Sequence, residues 1–231
     1  DVVVVCTPIL DMADLVADIR DALSPHAIVT DVGSTKAMLM DQVSGVLAGS
    51  QACFIGSHPM AGSERTGMEA ARADLYDQAV VIVTPPAGRN REASVKRVTM
   101  LWESVGARVV AMDAAVHDAI VAGTSHVPHL VAALLVGAAA RTTGNPGMYC
   151  GPGFRDSTRI AGGSAFVWHD IVKSNAGPIE HCLKAFRDDL DLLLQNLQQA
   201  DYAGIRAWLG EARKERERIL AAAPRLKGGE A

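Results

Sequence analysis

The chain has no C-x-x-C pair among its four cysteines, no H-E-x-x-H among its seven histidines, and no excess of basic over acidic residues. Cys6, Cys53, Cys150 and Cys182 lie far apart, the first three in apolar or glycine-rich settings. That spacing gives no disulfide framework and fits reduced thiols in a cytoplasmic compartment. With 22 Lys and Arg against 26 Asp and Glu, the net charge of -4 offers no broad basic surface for nucleic acid. No apolar run approaches bilayer length, and no basic-then-apolar leader comes before the first strand, so no membrane partner is expected. What is left is an ordinary composition, 49% hydrophobic over 231 residues, enough for one large or two small domains around a small-molecule site.

The first residues, Asp1 to Pro8, form a β-branched apolar run that reads as a buried parallel strand ending at a Thr-Pro turn. No initiator Met comes before it, and the reading is a piece whose N-terminal portion is missing. A helical pattern (11–23), a strand (27–31), a helix (34–47) and a strand (52–55) follow, giving βαβαβ and hence a parallel sheet. After a short helical segment (69–73) come a strand at 80–84, a helix near 91–105 and a strand at 108–112. Beyond Asp113 the strand signal stops and helical patterns cover 116–140, 164–175 and 177–223. The expected fold is α/β then all-α, with domains at 1–112 and 113–231. The leucines and Phe186 between 183 and 197 give a broad apolar face suited to a homodimer. The tail 211–218 alternates charge as a solvated helix end does.

Four segments carry candidate chemistry. Residues 56–64, Gly-Ser-His-Pro-Met-Ala-Gly-Ser-Glu, set His58 in a Gly-, Ser- and Pro-rich loop after an apolar strand, where a sheet enzyme presents an acid or base. Asp31-Val-Gly-Ser-Thr-Lys36 runs from a strand end into a helix. Ser34 there is either an N-cap, a ligand contact, or both. Ser125-His-Val-Pro-His129 spaces two histidines at i and i+3 on a helix whose start Pro128 would fix. Without a third ligand that pair reads as an anion or hydroxyl contact, so no metal is expected. In Gly151-Pro-Gly-Phe-Arg-Asp-Ser-Thr-Arg159, Arg155 fits a surface ion pair with Asp156, and Arg159 is better placed to clamp a carboxylate.

Taken in order, DVGSTK, GSHPMAGSE, His117-Asp118, SHVPH, GPGFRDSTRIA and Trp168-His-Asp-Ile-Val-Lys-Ser-Asn175 resemble the prephenate and arogenate dehydrogenases across essentially the whole chain. The resemblance implies a partial Rossmann-like sheet domain, a helical dimerisation domain, and an NAD- or NADP-dependent oxidative decarboxylation of prephenate or arogenate in tyrosine biosynthesis. It implies His58 as the catalytic histidine, Ser34 as the serine that orients it near the nicotinamide, and His129 and Arg159 as substrate contacts. Glu64 and Asp156 would form an acidic pair at the pocket entrance, and Thr7 and Pro8 would line the cofactor. The resemblance leaves the role of His126 open, a buried helix partner being one reading. The glycine-rich pyrophosphate turn and the residue that separates NAD from NADP would precede residue 1, so this stretch alone is expected to bind cofactor poorly. Two other readings stand beside this one: a two-domain 3-hydroxy-acid dehydrogenase, and a cofactor-free ligand-binding or dimerisation module.

Overall fold

The β-branched runs become strands at Val2–Val5 (β1), Ile28–Asp31 (β2), Cys53–Pro59 (β3), Val80–Thr84 (β4) and Arg108–Ala111 (β5). In the computed structural model, which describes residues 1–62, 67–86 and 91–223, they form one sheet in the order β1-β2-β3-β4-β5. β1, β2 and β3 are parallel, and β5 is parallel to β4. β4, however, runs antiparallel to β3, pairing Gly56 with Thr84 and His58 with Ile82. The expected helix at 69–73 is only a 3-10 turn, Met68–Ala70. Without a full crossover helix in the described part of this connection, the chain returns beside β3 in the opposite direction. The sheet is therefore parallel in the main rather than throughout.

Helices Met12–Ile19 (α1), Ala37–Val46 (α2) and Glu92–Ser104 (α3) cover the sheet. Strand alternation divides the core in two. Val5, Val29 and Phe54 pack with Val16, Leu39 and Val43 of α1 and α2. Ile28, Cys53, Ile55, Val81 and Val83 pack with Val98 and Trp102 of α3. On β3 this places Phe54, Gly56 and His58 on one face and Cys53, Ile55 and Ser57 on the other.

Asp113 ends the strand region by accepting from the Ala115 and Val116 N–H groups, capping Ala114–Val121 (α4). The helical run then continues through a π turn, Ala122–His126, into Val127–Ala140 (α5). Pro128 stands in the first turn of α5, where the sequence placed a helix start, but α5 continues directly from the π turn rather than starting free. Pro128 lacks an N–H to donate, and the wider π turn just before it accommodates the proline within one continuous run. That run, Ala114–Ala140, is by length and composition apolar enough to cross a membrane. The expectation that no apolar run approaches that length is corrected here, because α4, the π turn and α5 form one continuous helical run. Its four ionisable residues, His117, Asp118, His126 and His129, are buried.

Short helix Pro152–Thr158 (α6) and helix Ala165–Ser174 (α7) follow, then Ala176–Gln198 (α8) and Tyr202–Ala222 (α9). The single helix expected over 177–223 is thus two. Ala200 adopts a φ of 55°, and the Asp201 side chain accepts from Gly204 N–H to start α9. The chain divides into two compact units, Asp1–Ile179 and Glu180–Ala231. Every site feature described below belongs to the first.

Candidate active site

At the end of β2, Asp31 spends both carboxylate oxygens on structure. Oδ1 accepts from Ser57 N–H at 2.8 Å, and Oδ2 accepts from Gly33 N–H at 2.7 Å and pairs with the Lys36 ammonium, both side chains being wholly buried. A Cβ at Gly33 would lie 2.8 Å from Asp31 Oδ2 and 3.0 Å from Ile9 Cδ1, so this tight turn requires glycine. Thr35 Oγ1 donates to Ser174 Oγ at 2.8 Å, tying the turn to α7. Ser34 caps nothing: α2 begins at Ala37 with no cap from its own segment. The Lys36 and Ala37 N–H groups instead donate to Asp118 Oδ1 and Oδ2, each at 2.8 Å. The N-cap reading of Ser34 therefore gives way, and the serine is left facing cavities.

His58 sits on β3 itself, not in a loop, because Gly56–Pro59 pairs with β4. Alternation sends Ser57 toward Trp102, whose Nε1–H donates to Ser57 Oγ at 3.0 Å, and sends His58 to the face of α4. There His58 Nδ1 lies 2.8 Å from Nε2 of His117, and His117 Nδ1 lies 2.7 Å from Asp118 Oδ1. Burial, then the charges of Lys36, His117 and His126, holds the His58 pKa well below its ordinary value. Its imidazole therefore stays neutral and able to accept a proton. Asn175 Nδ2 donates both to the Asp118 carbonyl at 2.9 Å and to His126 Nδ1 at 3.0 Å, which joins α7 to the π turn.

Burial also pushes His126 down to about 4 from 6.5. The unfolded chain then binds the extra proton between those values, so the stability contributed by neutral His126 is present above about pH 6.5 and is lost as pH falls toward 4. In chemical denaturation, wild type should lose about 2 kcal/mol more than His126→Asn between about pH 7 and about pH 5, since Asn keeps an acceptor for Asn175 without titrating. Parallel losses in the two proteins would contradict this.

Three cavities meet at Ser34. One, of about 320 Å³, is lined by Cys6, Thr7, Pro8, Gly33, Ser34 and Asp170 among others, at the C-terminal ends of β1 and β2. A second, of about 530 Å³, includes Ser34, Ser125, His129, Arg159 and Trp168. The third, of about 320 Å³, includes Ser34, His58, Ser125, His126 and Trp168. The structure thus brings Ser34, His58, His129, Arg159, Thr7 and Pro8 to one connected region. Asp156 does not join them. It is exposed on α6 and lines none of these cavities, and Arg155 donates to the Cys150 carbonyl at 3.3 Å rather than to Asp156. Glu64 lies outside the described residues.

His129 stacks on Trp168 with ring centroids 3.4 Å apart and planes 13° from parallel. A Cβ at Gly163 would come within 2.7 Å of Trp168 Nε1 and 3.0 Å of His129 Cε1, so the stack fits only against a glycine. Thr7 Oγ1 is buried without a hydrogen-bond partner beside the first cavity. An orphaned hydroxyl at the strand ends, where open α/β sheets bind nucleotides, fits the amide end of a nicotinamide cofactor.

Sequence reasoning assigned no role to Lys36, His117, Asp118 or Trp168. His117-Asp118 did carry a signal: two adjacent ionisable residues on an otherwise apolar helix face. A buried Lys has no such signature, because its partner Asp31 sits in a turn that looks like an ordinary strand-to-helix connection.

A sheet parallel in the main, a cavity at its strand ends and a helical segment carrying a second half of the site fit the class of α/β proteins that bind a small ligand at the strand ends and complete the site with helices. Residues 1–111 match the prephenate dehydrogenase nucleotide-binding domain, and residues 113–211 match the prephenate dehydrogenase dimerization domain. The chain is 33% identical over 208 residues to the cyclohexadienyl dehydrogenase of Zymomonas mobilis, covering 87% of this chain and 70% of that protein. It is 31% identical to the prephenate dehydrogenase of Bacillus subtilis, covering 93% of this chain but 58% of that relative. The crystal structure of prephenate dehydrogenase from A. aeolicus in complex with hydroxyphenyl propionate and NAD+ superimposes with a TM-score of 0.87 at 30% identity, over 95% of this chain and 76% of that one. Synechocystis arogenate dehydrogenase follows at 0.82 and 27%, over 94% and 78%. The chain belongs to the prephenate dehydrogenase family.

Proposed function

We propose that the protein catalyses the oxidative decarboxylation of prephenate or arogenate, in tyrosine biosynthesis, with a nicotinamide cofactor, NAD or NADP. The observation that carries this reading is the position of Ser34, shared by the cavity of Thr7 and Pro8, that of His129 and Arg159, and that of His58. When bound, the nicotinamide supplies the hydride acceptor for C4 of the cyclohexadienol ring. Thr7 and Pro8 would hold its amide end, and Ser34 would lie between it and the substrate. Arg159 and His129 bind substrate carboxylate and polar groups, with the Trp168 stack fixing the imidazole plane. His58 Nε2 accepts the proton of the C4 hydroxyl as hydride leaves C4. The ring carboxylate departs as CO2, its bonding pair stays in the ring, and the product phenol recovers the proton from His58. Aromatisation drives the reaction, so the protein's work is alignment and polarisation of one hydroxyl.

On the same reading the protein is a cytoplasmic homodimer. The matched dimerization domain and the exposed Phe186, Leu190, Leu194 and Leu197 of α8 support self-association. The test crosses prephenate and arogenate with NAD and NADP in the full-length protein, followed by absorbance of the reduced nicotinamide, with sedimentation of the same preparation. Turnover in at least one combination by a dimer is expected. Silence in all four from a folded protein refutes the activity, and a monomer at micromolar concentration refutes the dimer.

A further inference from the structure

We infer that His117 and Asp118 are positioning residues: the Asp118 carboxylate holds the proton of His117 on Nδ1, His117 Nε2 accepts a hydrogen bond from the Nδ1–H of His58, and His58 presents an unprotonated Nε2 to the substrate. This rests on the reading of His58 as the proton acceptor and adds the device that makes it one.

The assignment follows from which groups can donate. Asp118 Oδ1 and Oδ2 each accept a backbone N–H at the start of α2, which requires acceptor oxygens and favours the ionised carboxylate at a helix N-terminus. At 2.7 Å from Oδ1, Nδ1 of His117 must therefore carry its proton. In neutral His117 the other nitrogen, Nε2, is then a lone pair, and the contact of 2.8 Å to His58 Nδ1 can form only if His58 donates. His58 is thereby held with its proton on Nδ1, the less populated form of a free neutral imidazole. Its Nε2 is the nitrogen left for a ligand in the cavity shared with Ser34.

The chain of contacts is anchored on rigid groups. His117 is fully buried and Asp118 only 2% exposed. The Asp118 carbonyl accepts from Asn175, and its carboxylate also accepts the Lys36 and Ala37 N–H groups at the start of α2. When His58 takes the hydroxyl proton, the O–H bond breaks and an Nε2–H bond forms. The positive charge then spread over the His58 ring is met through His117 by the Asp118 carboxylate, and no further proton needs to move. The buried Lys36 ammonium opposes a second cation here, so a carboxylate reached through one imidazole offsets what Lys36 adds.

Two measurements on the full-length protein test this. Two-bond 1H–15N correlation spectra of the histidine side chains at neutral pH, recorded without substrate, report which ring nitrogen is protonated. His58 protonated on Nδ1 alone is expected. His58 protonated on Nε2, which is the pattern if His117 is a doubly protonated imidazolium, overturns the relay whatever the enzyme turns over.

Kinetics supply the second readout through His117→Gln, whose side-chain oxygen occupies the place of Nε2 and still accepts, and His117→Leu, which does not. His117→Leu should lower kcat by about ten- to a hundredfold with KM within about twofold, the scale of losing a partner that orients a reacting group. His117→Gln should recover most of that loss. Equal losses in both variants mean His117 only fills space, and overturn the relay. Should His117→Leu fail to fold, the wild-type spectrum and the His117→Gln rate decide. An enzyme inactive on both substrates but showing the Nδ1-protonated His58 would refute the proposed reaction and leave the relay standing.

Discussion

His58→Asn should lower kcat by about 10²- to 10⁴-fold, with KM changed far less. Asn is the informative replacement because its amide nitrogen reaches the place of Nδ1 and can still donate to His117 Nε2, so the contact of 2.8 Å survives while the reacting Nε2 is deleted. The strand pairing of residue 58 with Ile82 is made by backbone and does not depend on the side chain. The variant should therefore fold as wild type does, and a thermal melt within a few degrees of wild type is the control. On the proposed reading, loss in kcat rather than KM is expected, because a proton acceptor for the C4 hydroxyl acts as the hydride leaves, whereas Arg159 and His129 would hold the substrate before and after. Activity within tenfold of wild type would place the base elsewhere.

Where the sequence was legible, it was legible through chemistry that needs particular residue types. Strand runs such as Val80–Thr84 and the strand-to-helix connection at 31–36 announce themselves, as do histidines and arginines flanked by Gly, Ser and Pro. Ser34, His58, His129 and Arg159 could be picked out for that reason, and the structure brings them together. What stayed hidden depends on contacts distant in sequence. The antiparallel turn of β4 goes with a connection whose described residues hold only a 3-10 turn where 69–73 read as a helix. Ser34 looked like an N-cap because Ser is favoured there, yet the cap comes from Asp118, 82 residues beyond Lys36. His117-Asp118 stood in the sequence only as one motif of the resemblance, without a role, and its contact with His58 appears once β3 packs against α4. Asp156 shows the converse: its motif was clear, but α6 leaves it in solvent.

The buried Lys36 and Asp31 pair carries the largest expected effect on stability. Lys36→Met should cost about 3–5 kcal/mol, read as a fall in the denaturation midpoint with an unchanged slope. Met nearly matches the volume of the lysine stem, so packing is preserved where Gly56 makes room for it; a Cβ at Gly56 would lie 3.1 Å from Lys36 Cδ and 2.9 Å from Met40 Sδ. The loss is therefore electrostatic. Burial lowers the lysine pKa and Asp31 works against that, so each charge is tolerated only because of the other. Replacing a buried pair by two apolar residues is often neutral, but not here, because Asp31 also accepts the Gly33 and Ser57 N–H groups that shape the turn and fix β3 beside His58. Asp31→Leu added to Lys36→Met should make matters worse by stranding those two amides. Asp31→Asn added to Lys36→Met should instead recover part of the loss, since the amide keeps one acceptor and removes the unpaired charge. A cost below about 1 kcal/mol for Lys36→Met would show that the ammonium is not needed to hold Asp31 ionised, and that the two backbone donors suffice.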